Sequence, residues 1–254
     1  FKTITTNPCS ELPLNYFDSC RLASLNLFAY VDNPFTFHAT VNVNKLQEHA
    51  VKAQRIMDDI VDLEEEKINS IIYKIKESDE DKNIKYHELY LWNKVKKVLL
   101  AGRRTGLGVT GLADAGAAMG LKYGSKEFTE FSSKLIEMVS KASYYSSVRM
   151  AAERGPFPIY SYNQEKDHVF LKRIMPENDP LRKFYRYVGR RNIANLAIAP
   201  TGSLSILAQT SSGVEPVFML SYTRRRKVSP DTKGALKDKV GDYWQDYHVY
   251  HLNF

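Results

Sequence analysis

The sequence predicts a mixed α/β fold, and three observations carry that expectation. Apolar residues recur at helical spacing over long segments, as in Leu46, Ala50, Ala53, Ile56, Met57, Ile60 and Val61. Two short apolar stretches, residues 22–27 and 195–199, have the length of buried strand-like segments. The second of them runs through Pro200-Thr201-Gly202-Ser203 into an apolar segment, residues 204–209, which makes a strand–turn–helix unit.

In chain order, residues 7–30 are expected to form a loop leading into the buried stretch at 22–27, and Asp32-Asn33-Pro34 is a turn signal. Asn44-Lys45-Leu46-Gln47 resembles a capping box, so a helix is expected from there to about Leu63. Residues 64–98 are strongly charged but keep Ile68, Ile71, Ile72 and Ile75, then Leu89, Leu91, Trp92, Val95 and Val98. They are expected to form two helices broken at residues 78–83, with the charges as their wet faces. A glycine-rich stretch spans 102–124. Ser125 then caps a long helix that stops at Arg154-Gly155-Pro156. Residues 160–183 look like loop, and the basic run Arg224-Arg225-Arg226-Lys227 precedes an aromatic, strand-like ending.

The composition is that of a globular chain, 43% hydrophobic and 26% charged over 254 residues. No apolar run approaches the length of a membrane-spanning helix. Only two cysteines are present, Cys9 and Cys20, too few for a disulfide framework, so a reducing, cytoplasmic setting is expected. The net charge of +7 suits an anionic partner. A phosphorylated small molecule is the expected one, because no nucleic-acid recognition pattern accompanies the lysines and aromatics.

Chemistry concentrates in Asn7-Pro8-Cys9-Ser10-Glu11. Amide, thiol and carboxylate alternate there, and in an extended or looping segment alternate side chains point the same way. Cys9, Asn7 and Glu11 are therefore candidate catalytic residues facing one small substrate, and Cys20 is a candidate redox thiol. Two cysteines with no nearby histidine at ligand spacing do not make a zinc site, so no metal is expected. Buried, inert thiols are the alternative. The turn at Thr201, Gly202, Ser203, Leu204 and Ser205 is a candidate phosphate grip: a helix start offers free N–H groups, and the hydroxyls of Thr201, Ser203 and Ser205 add donors. An ordinary capped connection is the plain alternative. Gly106-Leu107-Gly108-Val109-Thr110-Gly111 matches a dinucleotide fingerprint letter for letter, but it follows a helix-like segment, so its glycines are read as packing and turning residues.

Taken together these motifs resemble the catalytic chain of ribonucleotide reductases, in the adenosylcobalamin-dependent (class II) form. The resemblance rests on Asn7-Pro8-Cys9-Ser10-Glu11 with residues 19–27, on Gly102-Arg103-Arg104-Thr105-Gly106-Leu107-Gly108 with Leu112-Ala113-Asp114, and on Glu153-Arg154-Gly155-Pro156-Phe157-Pro158. It extends to Arg191-Asn192, residues 199–205 and residues 211–218. The short gap from Cys9 to Cys20 and the charged helices of 55–98 resemble the cobalamin branch.

The resemblance implies that residues 1–254 are one partial domain, the central-to-C-terminal portion of a ten-stranded α/β barrel with a finger loop inside it. It implies a thiyl radical on Cys9, Glu11 as base for the 3′-hydroxyl, Asn7 as a substrate hydrogen-bonding group, and Cys20 as one of two reducing thiols that become a disulfide. It implies a substrate phosphate site at residues 201–205, and a role in deoxyribonucleotide supply for DNA replication. The implied cofactor is adenosylcobalamin. The implied partners are a ribonucleotide, the remaining segments or chains of the reductase and a thioredoxin-like reductant. The second redox thiol is not in this sequence, and the first residue is not Met. The chain is therefore expected to be a fragment or split subunit, inactive alone. Competing readings are a class I large-subunit chain fed by a small radical-generating subunit, a catalytically silent nucleotide-binding scaffold, and a nicotinamide-binding dehydrogenase resting on Gly106 to Gly111.

Overall fold

The two apolar stretches lie on either side of a third strand, the glycine-rich segment between them in sequence. A computed structural model describes residues 4–253. In chain order the elements are β1 (Thr5–Thr6), β2 (Pro13–Leu14), β3 (Arg21–Asn26), a 3-10 turn (Leu27–Tyr30), β4 (Val31–Asp32), β5 (Thr40–Val41), α1 (Val43–Glu77), α2 (Lys82–Gly102), β6 (Thr105–Thr110), α3 (Leu112–Ala118), α4 (Lys126–Arg154), α5 (Tyr162–Glu165), α6 (Val169–Ile174), α7 (Pro180–Val188), α8 (Gly202–Ala208), β7 (Ser221–Val228), β8 (Leu236–Lys237) and β9 (Tyr243–Tyr250). The mixed α/β class is as the sequence predicts.

β3 and β6 pair in parallel, Arg21 opposite Thr105 through to Asn26 opposite Thr110. A parallel pair needs a long crossover, and α1 and α2 supply it. Residues 194–197 lie along the other edge of β6, through Thr105 N to Ala194 O at 3.0 Å, Leu107 N to Asn195 O at 2.7 Å and Ala197 N to Leu107 O at 3.0 Å. The expected strand at 195–199 is thus a short ladder with one bridge, Leu107 to Leu196. Among the described residues the strands make four small sheets of two or three strands, and no closed barrel is formed.

The glycines of β6 explain how closely these strands approach. A Cβ on Gly108 would stand 2.2 Å from the Ala197 carbonyl oxygen. The fingerprint-like run is therefore strand interior with a packing role, followed by Gly111 at φ 68 as the cap of α3. The stretch at 22–27 is less buried than expected, since Leu22 is exposed and only Leu27 is fully covered.

α1 begins two residues earlier than the apparent capping box predicts. Asn42, not Asn44, is the cap, and its side chain accepts from Lys45 N. The helix also runs past Leu63 without a break. Residues 63–67 are all good helix formers, and Val61, Ile68 and Ile75 continue the buried stripe to Glu77. Its 35 residues span roughly 52 Å. The break at Ser78 is as predicted, with Asp81 capping α2. α1 and α2 pack against each other over Val61, Ile68 and Leu99, with Ile72, Trp92 and Val95 alongside.

The main core lies between the β3–β6 pair and helices α1, α3 and α4, centred on Leu46, Ala50, Met57, Leu107, Val109, Leu135 and Val139. Ser125 caps α4 by accepting from Phe128 N, and Gly155 ends it, both as predicted. Residues 160–183 are not loop. They contain α5, α6 and the start of α7, whose apolar residues Leu171, Ile174 and Tyr185 are too sparse for a clear period but bury against Tyr144 and Val148 of α4. No helix among the described residues is long and apolar enough to cross a membrane.

Candidate active site

Asn7-Pro8-Cys9-Ser10-Glu11 is a hairpin loop rather than an extended segment. β1 and β2 pair with Thr5 opposite Leu14 and Thr6 opposite Pro13. The loop closes on Asn7: its N–H donates to Leu12 O at 3.2 Å, its side-chain Oδ1 accepts from Leu12 N at 3.0 Å, and its carbonyl accepts from Ser10 N at 3.0 Å. Ser10 takes the left-handed conformation at φ 61. The segment is thus the looping case of the expectation, and a local turn places the three groups. Leu12, 3% exposed, anchors the loop, while Cys9 stands exposed on it.

Glu11 points differently. Its Oε2 is buried and has no hydrogen-bond partner among the described residues. Glu11 also lines a cleft of about 480 Å3 with Leu107, Gly108, Tyr144, Asn195 and Ala197. A buried, unpaired carboxylate oxygen is costly, and here it borders space large enough for a ligand. The cleft lining includes none of Asn7, Cys9, Cys20 or residues 201–205.

Cys20 immediately precedes β3 and is half-buried. A Cβ on Gly106 would lie 3.1 Å from its sulfur, so a bare glycine makes room for the thiol. Burial pushes the Cys20 thiol up to about 12, against the opposing pull of Arg21 and Arg104. The Sγ donates weakly to Arg21 O at 3.7 Å. A thiol held protonated in this way is a hydrogen or proton donor rather than a ready nucleophile. Both neighbouring arginines are buried ion-pair members: Arg21 with Glu64 at 2.6 Å and Arg104 with Asp18 at 2.9 Å. Cys9 and Cys20 are both free thiols.

The turn at residues 201–205 opens α8, as the strand–turn–helix reading predicts. Its hydroxyls are a partial correction. Thr201 is 2% exposed, and its Oγ1 is shared with Thr110 Oγ1 at 2.9 Å and Ser212 Oγ at 3.2 Å, while accepting from Gly213 N at 3.0 Å. Ser205 Oγ donates to Gly202 O at 2.9 Å. Both serve the scaffold. The exposed Ser203, and the N–H groups that a helix start leaves without intrahelical acceptors, are what remain for an anion; Gly202 has open space around its Cα, and Leu204 is exposed.

Two buried networks hold these pieces, and the sequence reading missed their hubs. Asp58 on α1, fully buried, accepts from Arg103 Nε at 2.8 Å, Asn192 Nδ2 at 2.9 Å and Arg191 Nε at 3.2 Å. One turn before it, Gln54 donates to Thr105 Oγ1 and Asn192 Oδ1 and accepts from Ser143 Oγ at 2.8 Å. The available signal was two polar residues four apart on the apolar stripe of Ala50, Met57 and Val61. The second hub is Asp114, 1% exposed, which accepts from Thr210 Oγ1, Ser211 N, His251 Nε2 and Asn253 Nδ2. Burial alone would raise its carboxyl, but these hydrogen bonds outweigh it and hold the group below the ordinary carboxylate range.

Residues 2–233 match the family model described as "Ribonucleotide reductase, barrel domain". The chain belongs to the ribonucleotide reductase family. Over 219 residues it is 30% identical to a "Vitamin B12-dependent ribonucleoside-diphosphate reductase" of Mycobacterium tuberculosis, covering 86% of this chain and 25% of that protein. It is also 30% identical, over 221 residues, to a protein of the same name from Thermoplasma acidophilum, covering 87% and 23%. The "Ribonucleoside-diphosphate reductase subunit alpha" of Chlamydia pneumoniae is 26% identical over 236 residues, covering 84% and 20%. The chain thus spans about a quarter or less of the length of these reductase relatives.

Proposed function

We propose that this chain is the barrel portion of a class II ribonucleotide reductase, reducing ribonucleotides to 2′-deoxyribonucleotides by a thiyl radical on Cys9. The observation that carries the reading is Glu11: a buried carboxylate oxygen without a partner among the described residues, two residues from an exposed thiol, beside an open cleft.

The proposed steps begin from a Cys9 thiyl. It takes the hydrogen from C3′ of the ribose, forming S–H as C–H breaks. Glu11 accepts the 3′-hydroxyl proton as a positioned base. Asn7 spends its side-chain oxygen on Leu12 N, so its NH2 is the group left for the substrate. The 2′-hydroxyl leaves as water with a proton from Cys20, whose thiol stays protonated at neutral pH. A second thiol supplies the hydrogen that replaces the hydroxyl at C2′, and the two electrons come from that thiol and Cys20 as they become a disulfide. Glu11 returns its proton to the 3′-oxygen, and Cys9 returns its hydrogen to C3′. The balance is ribonucleotide plus dithiol giving deoxyribonucleotide, disulfide and water. Because Cys9 and Cys20 are the only cysteines of the sequence, the second thiol belongs to the remaining segments of the reductase, and a thioredoxin-like dithiol would renew the pair. The start of α8, with Ser203, is the proposed phosphate grip, and closure of the ten-stranded barrel would require strands from those remaining segments. A cytoplasmic setting suits the reduced thiols.

The names of the 30%-identical relatives make adenosylcobalamin the proposed cofactor. The cleft beside Glu11, about 480 Å3, has the volume of a site for a drug-sized molecule and is read as the nucleotide's, so no contact with the cobalamin is placed in it. The cobalamin site is therefore assigned to no residue here. A second reading, in which a separate subunit generates the radical, is favoured by the similarity to subunit-alpha proteins.

The test is reduction of a ribonucleotide by the complete reductase containing this chain, with a dithiol, with and without adenosylcobalamin. Cobalamin-dependent turnover that is abolished in Cys9→Ala and Glu11→Gln is expected. Turnover only with an added radical-generating subunit would establish the second reading. Nucleotide binding without turnover in either case would leave a silent scaffold.

A further inference from the structure

The antiparallel sheet of β7, β9 and β8 has a long, unpaired and strongly cationic edge. The strand order is β7–β9–β8, so one side of the eight-residue β7 carries no partner strand among the described residues. Most of β7 is exposed. Such an edge is a template for an incoming strand.

Its charges are sorted by face. Side chains alternate along a strand, so Arg225 and Lys227 share one face and Tyr222, Arg224 and Arg226 the other. On the first face the cations are neutralised: Arg225 pairs with Asp246 at 2.7 Å and Lys227 with Asp242 at 2.7 Å. On the second face, Arg224 has no hydrogen-bond or ion-pair partner among the described residues, and Arg226 meets the neutral Gln245 Oε1, at 2.7 Å, and the Tyr247 ring. Arg224 lies opposite Tyr247, and Val228 lies opposite Tyr243, over which Lys237 sits. This face therefore holds three cations and three tyrosine rings with no carboxylate.

We propose that the β7 edge is a docking site for a carboxylate-rich segment of a partner polypeptide, added in extended form as a further strand. Main-chain hydrogen bonds to β7 would supply affinity, and acidic side chains two residues apart would meet Arg224 and Arg226. The two cations without a carboxylate, Arg224 and Arg226, repel a second copy of the same edge, while admitting an acidic strand. A polypeptide is favoured over a nucleic acid because the free groups include a backbone ladder, which only another peptide backbone can complete in register.

The test is binding of a fluorescent ten-residue peptide alternating Glu with Val to the full chain, read by anisotropy at two salt concentrations. Saturable, salt-sensitive binding is expected, weakened about tenfold or more in Arg224→Glu/Arg226→Glu and retained in Arg224→Lys/Arg226→Lys. Far-ultraviolet circular dichroism of each variant establishes that the sheet is intact. A peptide of the same charge with proline at alternate positions should bind at least tenfold more weakly; equal binding would overturn strand addition. Tighter binding of an oligothymidylate of equal charge, or no peptide binding by the folded wild-type chain, would overturn the proposal.

Discussion

Gly106 faces Cys20 across the β3–β6 pair at a distance that leaves no room for a side chain: a Cβ there would lie 3.1 Å from Sγ, 2.7 Å from Leu22 Cδ2 and 2.8 Å from Ala197 Cβ. The glycine that resembles part of a nucleotide fingerprint is instead the floor beneath the Cys20 thiol. Gly106→Ala is expected to cost about 1–3 kcal/mol by overpacking. Gly108→Ala, meeting a backbone oxygen at 2.2 Å, should cost more, because a carbonyl in a ladder yields less than a leucine tip. Urea unfolding of both variants checks the order.

Cys20 should be the slow thiol. With its thiol pushed to about 12 from an ordinary value near 9, it is expected to resist iodoacetamide at pH 8 while the exposed Cys9 reacts. Mass spectrometry of partly labelled protein would read this directly. The sign for stability follows: a folded value above the unfolded one contributes fully below about pH 9, and the contribution is lost as pH rises toward about 12. Cys20→Ser, whose hydroxyl does not titrate there, should flatten that part of the profile.

Asp114 gives the opposite sign. Its carboxyl is held below the ordinary 3.8 by four donors, so its contribution is intact above that value and is lost as the pH falls below it. Asp114→Ala leaves buried donors unpaired and is expected to cost about 1–3 kcal/mol. Because those donors include Thr210 and Ser211 N, hydrogen exchange should rise first at residues 210–213 rather than in α1.

Asp58→Ala should be the more damaging change. It takes the Asp58 carboxylate from the buried Arg103, which keeps Asp62 at 2.7 Å, and from the largely buried Arg191, so the cost is expected up to the about 3–5 kcal/mol of breaking a buried ion pair. Arg103 also ends α2 in the left-handed conformation at φ 47, where glycine is the usual residue. Arg103→Gly therefore combines two opposing effects, relief of backbone strain and loss of the ion pair, which comparison with Asp58→Ala apportions. Thermal unfolding of Asp58→Ala, Arg103→Gly and the double variant is expected to be non-additive.

The sequence by itself determined the α/β class, the helix starting at Ser125 and ending at Gly155, the break at Ser78 and the turn into α8. Each rests on local chemistry, on caps, breakers and apolar period, that a few neighbouring residues settle. The ordered motifs also pointed to the family, because several short signatures in one order are far more specific than any single one. Tertiary structure decided what distance in sequence conceals. Asp58 and Gln54 read as ordinary helix residues until Asn192, some 135 positions away, meets both. Thr201 and Ser205 read as free donors until the fold spends their hydroxyls on Thr110, Gly213 and Gly202. Glu11 and Asn7 both read as substrate-facing groups in the motif, yet the hairpin loop commits the Asn7 side-chain oxygen to its own closure and leaves a Glu11 oxygen buried and, among the described residues, unpaired. A hydrogen-bonding group's role depends on which partners remain to it after packing, and that is fixed by contacts across the whole chain, not by its neighbours along it.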